Sequence, residues 1–198
     1  MIVRNEAHIV VEALDSVAPY ISSWVIVDTG SDDGTQDLIR DHMARLGIPG
    51  ELHERPWRNF GDNRTEALTL AQGHGDYVWV VDADDLLVGT PDFAGLDADV
   101  YWVRYVCNSH GYYRSQLFRD GVRVRWVGVT HEAPMWDFNS CVEARLGATT
   151  TSRIVNAVRA TCRDRSMSVT VIYCWPRWNA IPGCAVGLLS GPELLRPW

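Results

Sequence analysis

The sequence lacks several features that would point directly to a function. Its basic residues form no cluster and its net charge is −7, which argues against a cationic surface for nucleic acid or an anionic membrane. No apolar stretch is long enough to span a bilayer, and the first residues lack the charged-then-apolar order of a signal peptide. We therefore expect a soluble, cytoplasmic protein without an integral membrane segment and without a nucleic-acid partner.

Two short motif classes are also missing. The five cysteines are odd in number and show no C-x-x-C or similar close spacing, so we expect reduced thiols. A phosphate-binding loop of the form G-x-x-x-x-G-K-[ST] is absent, which weakens the case for a nucleotidyl or phosphoryl transferase. With 198 residues and 46% hydrophobic content, the chain can nevertheless bury the core of one domain.

Hydrophobic periodicity predicts alternating strands and helices in the first 85 residues. A first helix follows the apolar stripe from Ile9 to Val17, and a third extends from about Asn63 to Ala71. Between them a second helix ends at Gly47 and has one apolar face, formed by Leu38, Ile39, Met43 and Leu46. Predicted strands lie in WVIVD, ELHERPW and DYVWVVD. The opening MIVRNEA has only two apolar residues before a polar turn, so we expect a first strand cut short and a natural start upstream.

This alternation predicts parallel strands joined by right-handed crossovers, with ligands at the carboxyl ends of the strands, where Asp28 and Asp82 lie. Short β-like runs follow in DVYWVRYV, SQLFRD and VRVRWV, and Asp120-Gly121 predicts a hairpin between the last two. We expect an α/β domain over residues 1–138 with a small hairpin subdomain. Residues 139–198 show no sustained periodicity and are expected to be irregular.

The densest negative charge follows the DYVWVVD strand. In an extended strand Asp82 and Asp84 would point to the same side, with Ala83 pointing away. Paired carboxylates form a hard oxygen site for Mg²⁺ or Mn²⁺, and Asp85 could reach the same ion from the following turn. The alternative interpretation is that these are solvated loop residues or a helix cap.

The turn VIVDTGSDDGT is a second candidate site. Asp28 ends a strand, and Gly30 and Gly34 permit close approach of a ligand to the backbone. Asp28 could accept a hydrogen bond from a nucleobase N–H or a ribose hydroxyl. Alternatively, it caps nearby backbone amides in a tight turn.

Two further positions carry suitable chemistry. Arg64, in NFGDNRTEAL, has a planar fork that suits a base edge or a phosphate, although it could equally be a solvated surface residue. In GVTHEAP, His131 offers a metal ligand and Glu132 a carboxylate base, against the alternative of an ordinary packed or solvated imidazole.

Taken in order, IVRNEA, VIVDTGSDDGT, NFGDNRTEALTLA, GDYVWVVDADD and VTHEA resemble a family 2 glycosyltransferase with the GT-A fold. The resemblance implies a nucleoside-diphosphate-sugar donor, an unidentified acceptor, and Mn²⁺ or Mg²⁺ bound by Asp82, Asp84, Asp85 and His131. It implies Glu132 as the catalytic base, with Asp137 as the nearby competitor, and inversion at the sugar. The implied donor pocket consists of Val3, Arg4, Asn5, Glu6, Asp28, Gly30, Ser31, Arg64, Asp82, Ala83 and Asp84.

The sequence departs from the family in its short first strand and in the lack of recognisable acceptor-binding elements after the hairpin. A non-catalytic remnant that binds a nucleotide sugar is therefore the second hypothesis. The two hypotheses differ in whether a sugar nucleotide is turned over or only bound.

Overall fold

The structure, a computed structural model, describes residues 1–107, 110–147 and 151–154. Its first sheet has three parallel strands in the order β1-β2-β3. The strands are β1 (Ile2–Val3), β2 (Trp24–Asp28) and β3 (Gly50–Glu54). The helices are α1 (Val10–Val17), α2 (Thr35–Leu46) and α3 (Phe60–Ala71), and a 3₁₀ turn at Ala18–Tyr20 follows α1.

The helix ends follow from local sequence. Gly47 adopts a left-handed conformation (φ 68°) and its N–H bonds to the carbonyl of Ala44, which confirms the predicted end of α2. Helix α3 begins at Phe60, earlier than predicted, because the side-chain oxygen of Asn59 accepts a hydrogen bond from the Asp62 N–H at 2.8 Å.

The second sheet is mixed, with the strand order β4-β7-β6-β11-β5 and with β10 also paired to β6. A separate two-stranded sheet pairs β8 with β9. The strands are β4 (Tyr77–Trp79), β5 (Asp85–Val88), β6 (Val100–Cys107), β7 (His110–Arg119), β8 (Arg125–Val127), β9 (Ala133–Met135), β10 (Glu143–Arg145) and β11 (Thr151–Ile154). This arrangement of one parallel and one mixed sheet with flanking helices confirms the predicted GT-A-like α/β fold.

The position of β4 differs from the prediction. It pairs antiparallel with β7, with Tyr77 opposite Arg119, instead of continuing the parallel sheet. The alternation of strands and helices therefore predicted the element types correctly but the partner of β4 wrongly.

A cavity of about 570 Å³, lined by Ile2 and Val80 among others, lies between the two sheets.

The predicted hairpin at Asp120-Gly121 is also wrong in its pairing. Gly121 does turn the chain (φ 83°), and the N–H of Val122 bonds to the carbonyl of Arg119 at 3.2 Å. Strand β7, however, has β6 on one edge and β4 on the other, so no edge remains for β8. The hairpins of the structure are instead β6–β7 and β8–β9.

The ordered sheet extends beyond the domain boundary predicted at residue 138. Strand β10 pairs parallel with β6, placing Glu143 opposite Val100, and β11 lies between β6 and β5. Among the described residues, no helix has the length and apolar character needed to cross a membrane. Residues 148–150 and 155–198 of the predicted irregular segment lie outside the described residues.

Candidate functional site

Asp28 lies at the carboxyl end of β2 and is 1% exposed. Its Oδ1 atom accepts hydrogen bonds from the backbone N–H groups of Gly30 and Ser31, both at 2.9 Å, and from Nε2 of Gln36 at 3.0 Å. The turn-capping role is thus present. Its other oxygen, Oδ2, is buried and has no hydrogen-bond partner among the described residues. Such an atom is costly to leave unsatisfied, and a ligand N–H or O–H would satisfy it.

The turn after β1 is fastened to the loop between β2 and α2. Asn5 adopts a left-handed conformation (φ 57°), and its backbone N–H donates to Oγ of Ser31 at 2.9 Å. Its side-chain oxygen accepts from the N–H of Asp32 at 2.9 Å. The N–H of Glu6 donates to Oγ1 of Thr35 at the same distance. These bonds bring the predicted Arg4-Asn5-Glu6 turn to the predicted Asp28 turn.

Glu6 also lies within electrostatic range of the Asp82–Asp85 segment. Burial, and then the charges of Asp84, Asp33 and Asp82, raise the pKa of Glu6 to about 7. Its Oε2 atom is buried without a hydrogen-bond partner among the described residues. Burial and the charge of Asp82 raise the pKa of Asp84 to about 6. The three segments predicted to form the donor pocket therefore meet in the structure.

The Asp82–Asp85 segment is a turn and not an extended strand. Strand β4 ends at Trp79, and the backbone N–H of Asp85 bonds to the carbonyl of Asp82 at 3.1 Å. The prediction that Asp82 and Asp84 share one side of an extended strand is therefore wrong. Ala83 is 6% exposed and packs in one core cluster with Val3, so both predicted pocket residues direct their side chains into the core.

Two arginines compensate the charge of Asp82. Nη1 of Arg64 lies 2.6 Å from Oδ1, and Nη1 of Arg114 lies 3.4 Å from Oδ2. Burial alone would raise the pKa of Asp82, but the charges of Arg64 and Arg114 outweigh it and hold that pKa well below its usual range. In this structure the cations next to Asp82 are thus side chains of the protein.

Asp85 is the most deeply buried carboxylate of the Asp82–Asp85 segment. It is 1% exposed, and its Oδ2 atom accepts hydrogen bonds from the hydroxyl of Tyr105 at 3.0 Å and from the N–H of Asp82 at 3.2 Å. Burial and the charge of Asp82 raise its pKa to about 8. This environment favours the protonated acid at neutral pH, in contrast to the ionised metal ligand that the family resemblance implies for Asp85.

An ion pair with Arg64 joins Glu132 to the same site. Glu132 is 5% exposed, and its Oε1 atom accepts a hydrogen bond from Nε of Arg64 at 2.7 Å. His131, by contrast, is exposed and has a left-handed backbone (φ 59°). Asp137, the competitor for the role of base, is exposed and accepts a hydrogen bond from the N–H of Asn139 in its own turn.

The carboxylates of the site could supply only part of the coordination shell of a divalent cation. Within the described part of the chain, no three His, Cys, Asp or Glu side chains converge on a common metal position. Both oxygens of Asp82 contact arginines, whereas Asp84 is half-buried and its charge contributes to the raised pKa of Glu6. Mg²⁺ is commonly held by one or two carboxylates plus substrate phosphates. Asp84 therefore suits a cation that completes its coordination with a bound diphosphate and water.

Sequence reasoning missed Arg114 and Tyr105. Arg114 lies on β7, with its guanidinium carbon 4.8 Å from the centre of the Tyr105 ring on the neighbouring strand β6. Its contact with Asp82 spans 32 positions of sequence. No local pattern marks either residue, because strand pairing alone brings them beside the Asp82–Asp85 turn.

Two comparisons with known proteins match part of this chain. Residues 1–89 match the sequence model described as Glycosyl transferase family 2, which confirms the predicted resemblance over that segment. A TPR repeat-containing protein of Synechococcus elongatus is 34% identical over 88 residues, which are 44% of this chain and 20% of that protein. The match thus spans only a fifth of the relative's length. Asp28, Arg64 and Asp84 lie within the family match, whereas Arg114 and Glu132 lie beyond it.

Proposed function

We propose that this chain transfers a sugar from a nucleoside-diphosphate sugar to an acceptor hydroxyl, with inversion at the sugar. The observation that carries the proposal is the buried, unpartnered Oδ2 atom of Asp28 at the carboxyl end of β2, inside the segment that matches family 2 glycosyltransferases. Ligands of open α/β sheets bind at this end of the strands. A nucleobase N–H or a ribose hydroxyl would supply the missing donor.

The diphosphate of the donor would lie between the Arg4-Asn5-Glu6 turn and Asp84. Glu6 and Asp84 have raised pKa values, to about 7 and about 6, because burial and neighbouring carboxylates disfavour their charged forms. A divalent cation at Asp84 would relieve this repulsion and bind the diphosphate oxygens. When bound, Mn²⁺ or Mg²⁺ stabilises the negative charge that develops on the leaving diphosphate.

Glu132 is the proposed base. The acceptor oxygen forms a bond to the anomeric carbon while the bond from that carbon to the phosphate oxygen breaks. The proton of the acceptor hydroxyl passes to Glu132, and the bonding electron pair leaves with the nucleoside diphosphate. Arg64, 2.7 Å from Oε1 of Glu132, fixes this carboxylate within the site. Direct displacement of this kind inverts the anomeric configuration.

A second candidate function is binding of a nucleotide sugar without turnover. It is favoured by one observation: the family match ends at residue 89, before Glu132 and the remaining strands. A protein that kept only the donor half of the site would retain the Asp28 turn and Asp84 but would lack a productive acceptor site.

The test is a panel of sugar nucleotides incubated with the full chain and Mn²⁺ or Mg²⁺, measuring both binding and release of nucleoside diphosphate. The proposal expects release, and a reduction of about 10²–10⁴-fold in turnover for Glu132→Gln with donor affinity little changed. Asp137→Asn is the matched control, because this exposed carboxylate should leave turnover unchanged. Binding without release would favour the second function, and absence of binding would reject both.

A further inference from the structure

Three charged side chains in the site are joined by two consecutive ion pairs. Arg64 donates from Nε to Oε1 of Glu132 at 2.7 Å and from Nη1 to Oδ1 of Asp82 at 2.6 Å. The side chains of Glu132, Arg64 and Asp82 are only 4%, 9% and 17% exposed. Burial by itself lowers the pKa of Arg64, but Asp82 and Glu132 outweigh burial and raise it. The guanidinium therefore stays charged between two carboxylates from different parts of the chain.

Helix α3, which carries Arg64, packs closely against β8 and the residues that follow it. A Cβ added to Gly61 would lie 2.6 Å from the carbonyl oxygen of Gly128 and 3.1 Å from that of Trp126, so the helix backbone sits directly on this segment. One turn further, the hydroxyl of Thr65 accepts the N–H of Trp126 at 2.8 Å. This packing holds α3 against the segment that leads to Glu132, which Arg64 reaches from the same helix.

We infer that Arg64 is a positioning residue that holds Glu132 in register with the Asp82–Asp85 turn, and does not itself bind the donor. The inference rests on the proposed function for its catalytic consequence, but the positioning itself does not. A forked guanidinium can bond two carboxylates in fixed directions, whereas a lysine ammonium acts as a single point charge. Removing the guanidinium takes from Glu132 and Asp82 the cation they share, and of the two only Asp82 keeps a second arginine, Arg114 at 3.4 Å, among the ion pairs of the described residues.

The first test compares Arg64→Lys with wild type in the full chain by hydrogen exchange. Arg55→Lys is the matched control, because Nε of Arg55 makes a single ion pair of the same length, 2.7 Å, with Glu66 outside the site. The inference expects amides of residues 126–135 to exchange at least several-fold faster in Arg64→Lys and unchanged in Arg55→Lys. Unchanged exchange in both variants would overturn it.

If Arg64→Lys fails to fold, hydrogen exchange in Glu132→Gln tests the same contact by changing its other partner. A neutral amide bonds the guanidinium more weakly than a carboxylate does, so exchange in residues 126–135 should again rise. Wild-type exchange in Glu132→Gln would overturn the inference independently of any result with Arg64.

The second test is kinetic. If Glu132 is displaced, kcat of Arg64→Lys should fall by about 10–100-fold while the donor KM stays within about twofold, since misplacement of a reacting group affects the chemical step. Added guanidinium should restore part of the turnover of Arg64→Ala. A raised donor KM with unchanged kcat would identify Arg64 as a donor-binding residue and overturn the inference. If the wild type transfers no sugar, the proposed function fails and hydrogen exchange alone decides the positioning role.

Discussion

Nε of Arg64 lies 2.7 Å from Oε1 of Glu132, although the two residues are 68 positions apart in the sequence. The contact joins helix α3, inside the segment that matches family 2 glycosyltransferases, to a connection that lies beyond the match. Arg64 also bonds Asp82, so Glu132 belongs to the same charged cluster as the acidic turn.

Asp28→Asn should weaken binding of a nucleoside diphosphate by about 1–3 kcal/mol, the usual scale for a charge-assisted hydrogen bond. The asparagine keeps an oxygen for the three donors that contact Oδ1 but presents no anionic Oδ2 to the ligand. Isothermal titration calorimetry measures the effect, and Asp32→Asn in the same loop is the control. Equal affinity in wild type and Asp28→Asn would remove Asp28 from the nucleotide site.

Asp84→Asn should abolish the dependence of nucleotide binding on a divalent cation. In wild type, Mn²⁺ and a nucleoside diphosphate together should stabilise the fold by about 2.7 kcal/mol when the ligand is at one hundred times its Kd. Thermal melting with each component alone, with both, and with chelator measures this linkage. If Asp84→Asn retains the joint stabilisation, the cation is bound elsewhere or is not needed.

Asp85→Asn should change how stability depends on pH. Burial and the charge of Asp82 raise the pKa of Asp85 to about 8 in the folded protein, so folding favours its protonated form. The stabilisation is therefore fully present below the ordinary carboxyl pKa of about 4 and is lost as the pH rises through about 8. Relative to wild type, the variant should gain about 4 kcal/mol in free energy of unfolding between pH 5 and about pH 9, because each of the roughly three pH units below the pKa of about 8 contributes about 1.4 kcal/mol.

Chemical denaturation at several pH values measures this difference, with the exposed Asp92→Asn as control. Parallel pH profiles for wild type and Asp85→Asn would show that Asp85 is ionised in the folded protein throughout this range.

Gly61→Ala should destabilise the fold by about 1–3 kcal/mol, because the new Cβ would lie 2.6 Å from the carbonyl oxygen of Gly128, a backbone atom that can move only if the chain around it moves. Gly147→Ala is the control, since nothing lies within 4 Å of its added Cβ. Urea denaturation compares the two variants. If Gly61→Ala unfolds with the same free energy as wild type, the contact between α3 and β8 can shift without loss of stability.

The sequence by itself determined the elements whose signal is local. The apolar stripe of α1, the glycine that ends α2 and the Asp-Gly-rich turn after β2 all follow from residues within one or two turns of each other. The family-like motifs assigned the Arg4-Asn5-Glu6 turn, Asp28 and the acidic turn to one donor pocket; the structure brings these segments together, and donor binding by them stays a prediction.

Only the tertiary structure decided the strand partners and the charge balance of the site. Strand β7 pairs with its sequence neighbour β6 on one edge and with the distant β4 on the other, so the local signal at Asp120-Gly121 did not specify the partner of β8. The counter-charges of Asp82 came from Arg64, 18 positions away, and from Arg114, 32 positions away. Electrostatic and strand-pairing contacts depend on distance in space, and the sequence order of these residues does not specify that distance until the chain has folded.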